Sequence, residues 1–234
     1  MADDDSRSGR TTYWTPVIGR YLGDLFARET DGMRDALASI ERAGLPAIQL
    51  GPTEGRILEV IVRMVQARRV VEIGTLAGYS AQWLARGLGR DGHLWTIEAD
   101  PHHARVARGV LERAGLAQRV EVLEGRALQM LPGLEGEGPF DAVFIDADKA
   151  AYGEYAAWAA RHLRPGGAVI GDNTYLFGRL AGVEPHDDDE RAAIDGMRRF
   201  HQVLARDFDA VCLPTPDGLS VGVRRRDGAP ERLG

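Results

Sequence analysis

From Thr15 to roughly Glu41 the apolar residues return at helical intervals, first Val17, Tyr21 and Leu25, then Met33, Leu37 and Ile40. This predicts two helices before any strand. A loop punctuated by Gly44, Pro46, Gly51 and Pro52 comes next, and a third helix is expected over 53–66 with Thr53 as its N-cap. Then the rhythm changes. Short apolar runs at 69–74, 93–98, 120–123, 140–146 and 168–172 read as strands, and helical patterns at 80–88, 101–114 and 149–162 fall between them. Pro101 suits the first turn of its helix. A helix over 188–207 precedes two last strands, 210–213 and 219–223. The intervening Pro214-Thr215-Pro216-Asp217-Gly218 is turn chemistry, which predicts an antiparallel hairpin.

Strands alternating with helices predict an α/β fold, a mostly parallel sheet of seven strands with helices on both faces. The expected division is a tail over 1–10, N-terminal helices over 11–45, a core over 46–226 and a tail over 227–234. A length of 234 residues suits one such domain, and 44% hydrophobic with 27% charged residues is an ordinary globular composition. A net charge of −6 argues against bulk nucleic-acid binding. No apolar run reaches the ~20 residues of a bilayer span, and the acidic start, Met1 to Arg10, is unlike a secretory signal. The single cysteine, Cys212, excludes an internal disulfide and reads as a buried strand thiol. A cytoplasmic protein is expected.

In open α/β sheets ligands bind beyond the carboxyl ends of the strands. There this chain carries Glu72 and Gly74, Glu98, Asp146, and Asp172 with Asn173. In the turn Gly74-Thr75-Leu76-Ala77-Gly78, glycines let backbone approach a ligand, and the helix opening at Tyr79 and Ser80 favours negative charge. The spacing is G-x-x-x-G rather than the G-x-G-x-x-G of dinucleotide enzymes, which weakens a nicotinamide dehydrogenase reading. Glu98 ends the next strand, where a carboxylate accepts hydrogen bonds from ribose hydroxyls. Together these point to a cofactor containing adenosine, while a tight turn without ligand stays open. Adjacent parallel strands lie about 4.8 Å apart, so Asp146, Asp172 and Asn173 can converge on one point. Three oxygen donors suit Mg²⁺, with Mn²⁺ or Ca²⁺ as alternatives. The competing reading is a set of helix-capping aspartates.

Three strings taken together resemble the cation-dependent O-methyltransferases, including the catechol and caffeoyl-coenzyme A enzymes and their bacterial relatives. They are Glu72-Ile73-Gly74-(x)3-Gly78-Tyr79-Ser80, then Phe140-Asp141-(x)2-Phe144-Ile145-Asp146-Ala147-Asp148-Lys149-(x)2-Tyr152, then Leu163-(x)2-Gly166-Gly167-(x)4-Asp172-Asn173. The likeness runs from about Gln49 to Val223 and includes the close Leu213-Pro214-(x)2-Asp217-Gly218-Leu219. It implies a Rossmann-like sheet and S-adenosylmethionine as cofactor. By this resemblance Glu72, Gly74, Thr75, Tyr79 and Ser80 line the methionine side and Glu98 binds the ribose. Ala127 borders the adenine, and Leu50 and Asp148 are further cofactor contacts. Asp146, Asp172 and Asn173 are the metal ligands, and Lys149 is the catalytic base. The sequence departs from relatives at Arg126, where many carry Asp, and at Tyr175-Leu176-Phe177-Gly178, where Leu-Trp is usual. The resemblance also implies an aromatic diol as substrate and a homodimer.

The expected chemistry follows. A free phenol has a pKa of about 10, and a bound cation eases loss of its proton. Lys149 then takes that proton or supports the oxyanion, and the oxygen attacks the sulfonium methyl in line. The rivals are a transfer-RNA hydroxyuridine methyltransferase using a patch of Arg56, Arg63, Arg68 and Arg69, and a cofactor-binding module without catalysis. His102, His103 and His162 read as surface or capping residues, and Arg224-Arg225-Arg226 as solvated. Asp187 to Glu190 read as the acidic first turn of a helix, with a lid as the alternative. Tyr152, Tyr175 and Phe177 read either as an acceptor wall or as core.

Overall fold

The computed structural model describes residues 15–226, so the expected tails over 1–10 and 227–234 and the start of the segment over 11–45 lie outside the described residues. Three helices come first: α1 (Pro16–Phe26), α2 (Asp31–Ala43) and α3 (Pro52–Met64). The strands are β1 (Arg69–Ile73), β2 (His93–Glu98), β3 (Val120–Glu124), β4 (Phe140–Ile145), β5 (Leu163–Gly171), β6 (Phe208–Leu213) and β7 (Leu219–Arg224). Between them run α4 (Tyr79–Gly87), α5 (Pro101–Arg113), α6 (Ala127–Met130), α7 (Tyr152–His162) and α8 (Asp188–Asp207). The sheet order is β3-β2-β1-β4-β5-β7-β6. Strands β1 to β5 pair in parallel, while β7 is antiparallel to both β5 and β6. The expected mostly parallel sheet with a closing hairpin is present.

Alternation along the central strands fixes the layers. Val71, Ile73, Val143, Ile145 and Val169 face Tyr152, Tyr155 and Trp158 of α7 and Met197 and Phe200 of α8. Their neighbours Val70, Ala142, Phe144, Ala168 and Ile170 face Leu58 and Val62 of α3, Trp83 and Leu84 of α4, and Val110 and Leu111 of α5. A sheet apolar on both faces is buried on both faces.

Several local expectations are corrected. Thr53 is not a cap: Gly51 is the N-cap residue of α3 and Pro52 opens the helix, its missing N–H costing nothing there. The segment expected as one helix over 149–162 begins with a 3-10 turn, Lys149–Ala151, before α7. Strand β5 starts at Leu163 rather than 168, across a register irregularity, with Arg164 Nε donating to Asp141 Oδ1 at 2.6 Å. Arg224 and Arg225 are not solvated. Arg224 Nε donates to Ala160 O (2.8 Å), and Arg225 Nη2 to Phe208 O (2.8 Å). Cys212 is half-buried rather than buried. Other expectations hold: Pro101 opens α5 behind an Asp100 cap, and Asp187 caps α8 by accepting from Glu190 N at 2.7 Å.

Candidate active site

Order reverses in the sheet between β1 and β4, which pair directly although β2 and β3 lie between them in sequence. Beyond the carboxyl ends of these strands lies a cleft of about 980 Å3. Another hollow of about 830 Å3 runs along α1, but it is lined by none of the expected site residues.

The turn after β1 forms one wall of the large cleft. Gly74 has φ +99°, and a Cβ there would sit 2.0 Å from Asp146 O, so only glycine permits β1 and β4 to end this close together. Gly78 is also left-handed, with φ +77°, and α4 opens directly after it. Glu98 ends β2 and is nearly buried; its Oε2 accepts from Thr75 N (3.2 Å) and Leu76 N (2.8 Å), and its Oε1 accepts from Asp100 N (2.9 Å). Leu50, Thr75, Tyr79, Ser80, Ala127 and Asp148 reach the same cleft.

Glu72 does not line it. Its side chain is fully buried beneath the turn, at the end of a relay in which Thr96 donates to Glu72 Oε2 (2.6 Å) and Thr75 lies 2.5 Å from Thr96. Burial pushes the Glu72 carboxyl up to about 8 against the pull of the Ser80 and Thr96 hydroxyls, and the charges of Asp146 and Glu98 add to the rise.

The opposite wall carries Asp146, Lys149 and Asn173. Lys149 Nζ donates to Asp146 Oδ1 (3.1 Å) and Tyr152 Oη (2.7 Å) and stands 4.6 Å above the Tyr152 ring. Tyr152 is core, fully buried, and its hydroxyl donates to Asp172 O (3.1 Å) and Ile145 O (3.2 Å). Asp172 is buried just behind the wall, and burial followed by the charge of Asp146 pushes its carboxyl up to about 7. Asn173 adopts φ +52°, a left-handed conformation uncommon for a side-chain-bearing residue. Tyr155 donates to Asp148 Oδ1 at 2.5 Å.

Both groups fit the ligands implied. Two mutually repelling carboxylates beside an amide form a hard-oxygen donor set, which a divalent cation would relieve. Among the described residues no three His, Cys, Asp or Glu side chains gather for a metal; the set expected from the sequence is two carboxylates with the Asn173 amide. The cleft volume, the turn amides and Glu98 suit an adenosine-bearing cofactor with a charged tail.

Residues not singled out as binding from the sequence also line this cleft: Ile48, Gln49, His103, Leu128 and Asp217, joined by Phe177 from the left-handed 3-10 turn Leu176–Gly178. His103 carries a signal, since Asp100 and Pro101 open a helix directly after the strand-ending Glu98 and so set its first turn beside that carboxylate. Three of the four arginines weighed as an RNA patch have side-chain partners within the fold. Arg56 and Arg63 pair with buried Glu59 (2.7 and 3.0 Å), and Arg69 Nη1 donates to Glu137 O at 2.6 Å.

The family model described as O-methyltransferase matches residues 27–225. A catechol O-methyltransferase of Niastella koreensis is 40% identical over 215 residues, covering 90% of this chain and 93% of that protein. A catechol O-methyltransferase of Mycobacterium tuberculosis is 42% identical over 202 residues, covering 86% and 89%. Among solved structures, the O-methyltransferase from Bacillus cereus in complex with SAH superposes with a TM-score of 0.82 at 38% identity, covering 89% of this chain and 97% of that one.

Proposed function

The chain belongs to the O-methyltransferase family and is an S-adenosylmethionine-dependent enzyme of it; from that premise we propose that its acceptor is a catechol-like aromatic diol, that a divalent metal ion, Mg²⁺ foremost, takes part, and that it acts as a homodimer. One observation carries the site reading. Lys149 and Asp146 share a single cleft with Glu98 and the Gly74–Gly78 turn, so an acceptor hydroxyl and a cofactor methyl can meet there.

Glu98 and the turn hold the adenosine end, with Leu50 and Ala127 as apolar walls. Tyr79 and Ser80 lie toward the methionine end, and Glu72 supports them from beneath. Asp146, Asp172 and Asn173 would hold the metal ion, which when bound supplies positive charge at the acceptor's two oxygens. Lys149 Nζ, fixed between Asp146 Oδ1 and Tyr152 Oη, takes the hydroxyl proton or carries positive charge beside the oxygen as that proton leaves. The oxygen–methyl bond forms as the sulfur–methyl bond breaks, turning the sulfonium into the thioether of S-adenosylhomocysteine. Much of the rate comes from holding both reactants in near-attack geometry.

The test is to incubate the protein with S-adenosylmethionine, Mg²⁺ and a panel of catechols, with and without EDTA, and to look by mass spectrometry for a singly methylated product. Product that disappears with EDTA, and in Asp146→Ala, supports the reading. Product insensitive to EDTA removes the metal. Binding of S-adenosylhomocysteine without product on any diol removes the acceptor class.

A further inference from the structure

Glu98 is short of acceptor capacity. A carboxylate offers about four lone-pair positions. Two on Oε2 are taken by the amides of Thr75 and Leu76, and one on Oε1 by the amide of Asp100. One position remains, yet a ribose presents two vicinal hydroxyls. A second group close to Oε1 would complete the bonding of the diol.

His103 stands there. Its Nδ1 is 3.8 Å from Glu98 Oε1, beyond a direct hydrogen bond. Its ring lines the cleft with a side-chain exposure of 22%, and it makes no hydrogen bond within the described residues. The position is not accidental crowding. His103 N donates to Asp100 Oδ1 (3.3 Å), which fixes the first turn of α5 against the end of β2. The adjacent His102 turns away, its Nε2 lying 3.0 Å from Ala43 O at the end of α2. Of two neighbouring histidines one ties helix to helix, and the other lines the cleft beside Glu98, with which it pairs when its ring is protonated.

We propose that His103 is a cofactor-binding residue that shares the ribose diol with Glu98, one hydroxyl bonding to the free position on Oε1 and the other to the His103 ring. This rests on the reading that S-adenosylmethionine occupies the cleft. It adds a ligand-binding role that the Glu98 carboxylate alone cannot fill.

Calorimetry with S-adenosylhomocysteine, and with its analogue lacking both ribose hydroxyls, tests it on the intact protein in EDTA. His103→Ala should weaken S-adenosylhomocysteine about five- to tenfold, the size of one hydrogen bond, and leave the dideoxy analogue unchanged relative to wild type. His103→Asn, which keeps a polar group near the Nδ1 position, should recover part of the loss. An unchanged affinity in His103→Ala overturns the proposal, and so does an equal loss for both ligands, since a merely structural histidine would weaken them alike. Wild-type protein that binds no S-adenosylhomocysteine would instead overturn the cofactor reading itself, before any variant is made.

Discussion

Glu72 shows how one residue can serve the site without touching it. It is sealed under the glycine turn, and burial pushes its carboxyl up to about 8 from an ordinary 4.5. A folded-state pKa above the unfolded value means that the folded chain holds this proton more tightly. The stability it contributes is therefore whole below about pH 4.5, wears away as pH rises, and is gone by about pH 8. The melting temperature of the cofactor-free protein should accordingly fall between pH 5 and 8, and Glu72→Gln should make that slope shallower, leaving the part that the raised Asp172 carboxyl contributes. Parallel slopes in the two proteins would remove Glu72 as the cause. Lys149 is the complementary case, an amine held at the cleft wall by one carboxylate and one buried hydroxyl. Its place in Asp146-Ala147-Asp148-Lys149 was legible in the sequence. Its partnership with Tyr152 was not, because an aromatic three residues on suits core and acceptor wall equally until the backbone is known.

At the scale of elements, α8 sets the position of the Lys149–Ala151 turn. A Cβ on Gly196 would lie 2.3 Å from Ala150 O and 2.4 Å from Lys149 O, so the helix backbone rests directly on the turn that carries the lysine. Gly196→Ala should cost about 1–3 kcal/mol of stability through overpacking. It should also lower kcat more than it lowers affinity for S-adenosylhomocysteine, because the displaced turn bears Lys149 and not the adenosine wall. Equal kcat in variant and wild type would separate α8 from the reaction. The extent of α8 was readable from its periodicity and its acidic first turn. The contact was not, since nothing local links Gly196 to residues far behind it in sequence. The same limit explains Thr53 and β5. A threonine before a helical run looks like a cap until Pro52 proves already helical, and Arg164-Pro165-Gly166-Gly167 looks like a loop until Asp141 ties Arg164 to the sheet.

For the molecule as a whole, the alternation of strands and helices made the sheet and its carboxyl-end residues legible, because each strand's apolar run is bounded by turn chemistry. What covers α1 was not. None of its residues is buried, and Val17, Tyr21 and Phe26 are 66%, 65% and 63% exposed. A second copy of the chain is the proposed cover. Light scattering should return twice the chain mass, and Tyr21→Glu with Leu25→Glu should halve it. A wild-type monomer at tens of micromolar would set the homodimer aside.

The reversal of strand order has a consequence for inheritance. The residues read as gripping the donor, Gly74 to Ala127 apart from Leu50 and Asp148, come from one unbroken stretch that runs from β1 through β2 and β3 on one side of the reversal. Lys149, Asn173, Phe177 and Asp217, on the side proposed for the acceptor, come from later segments on the other. On the proposed site reading, mutation and recombination downstream of Asp148 are therefore expected to remake what is methylated while the donor wall is passed on intact. One ancestral donor half can in this way found lineages with many acceptors.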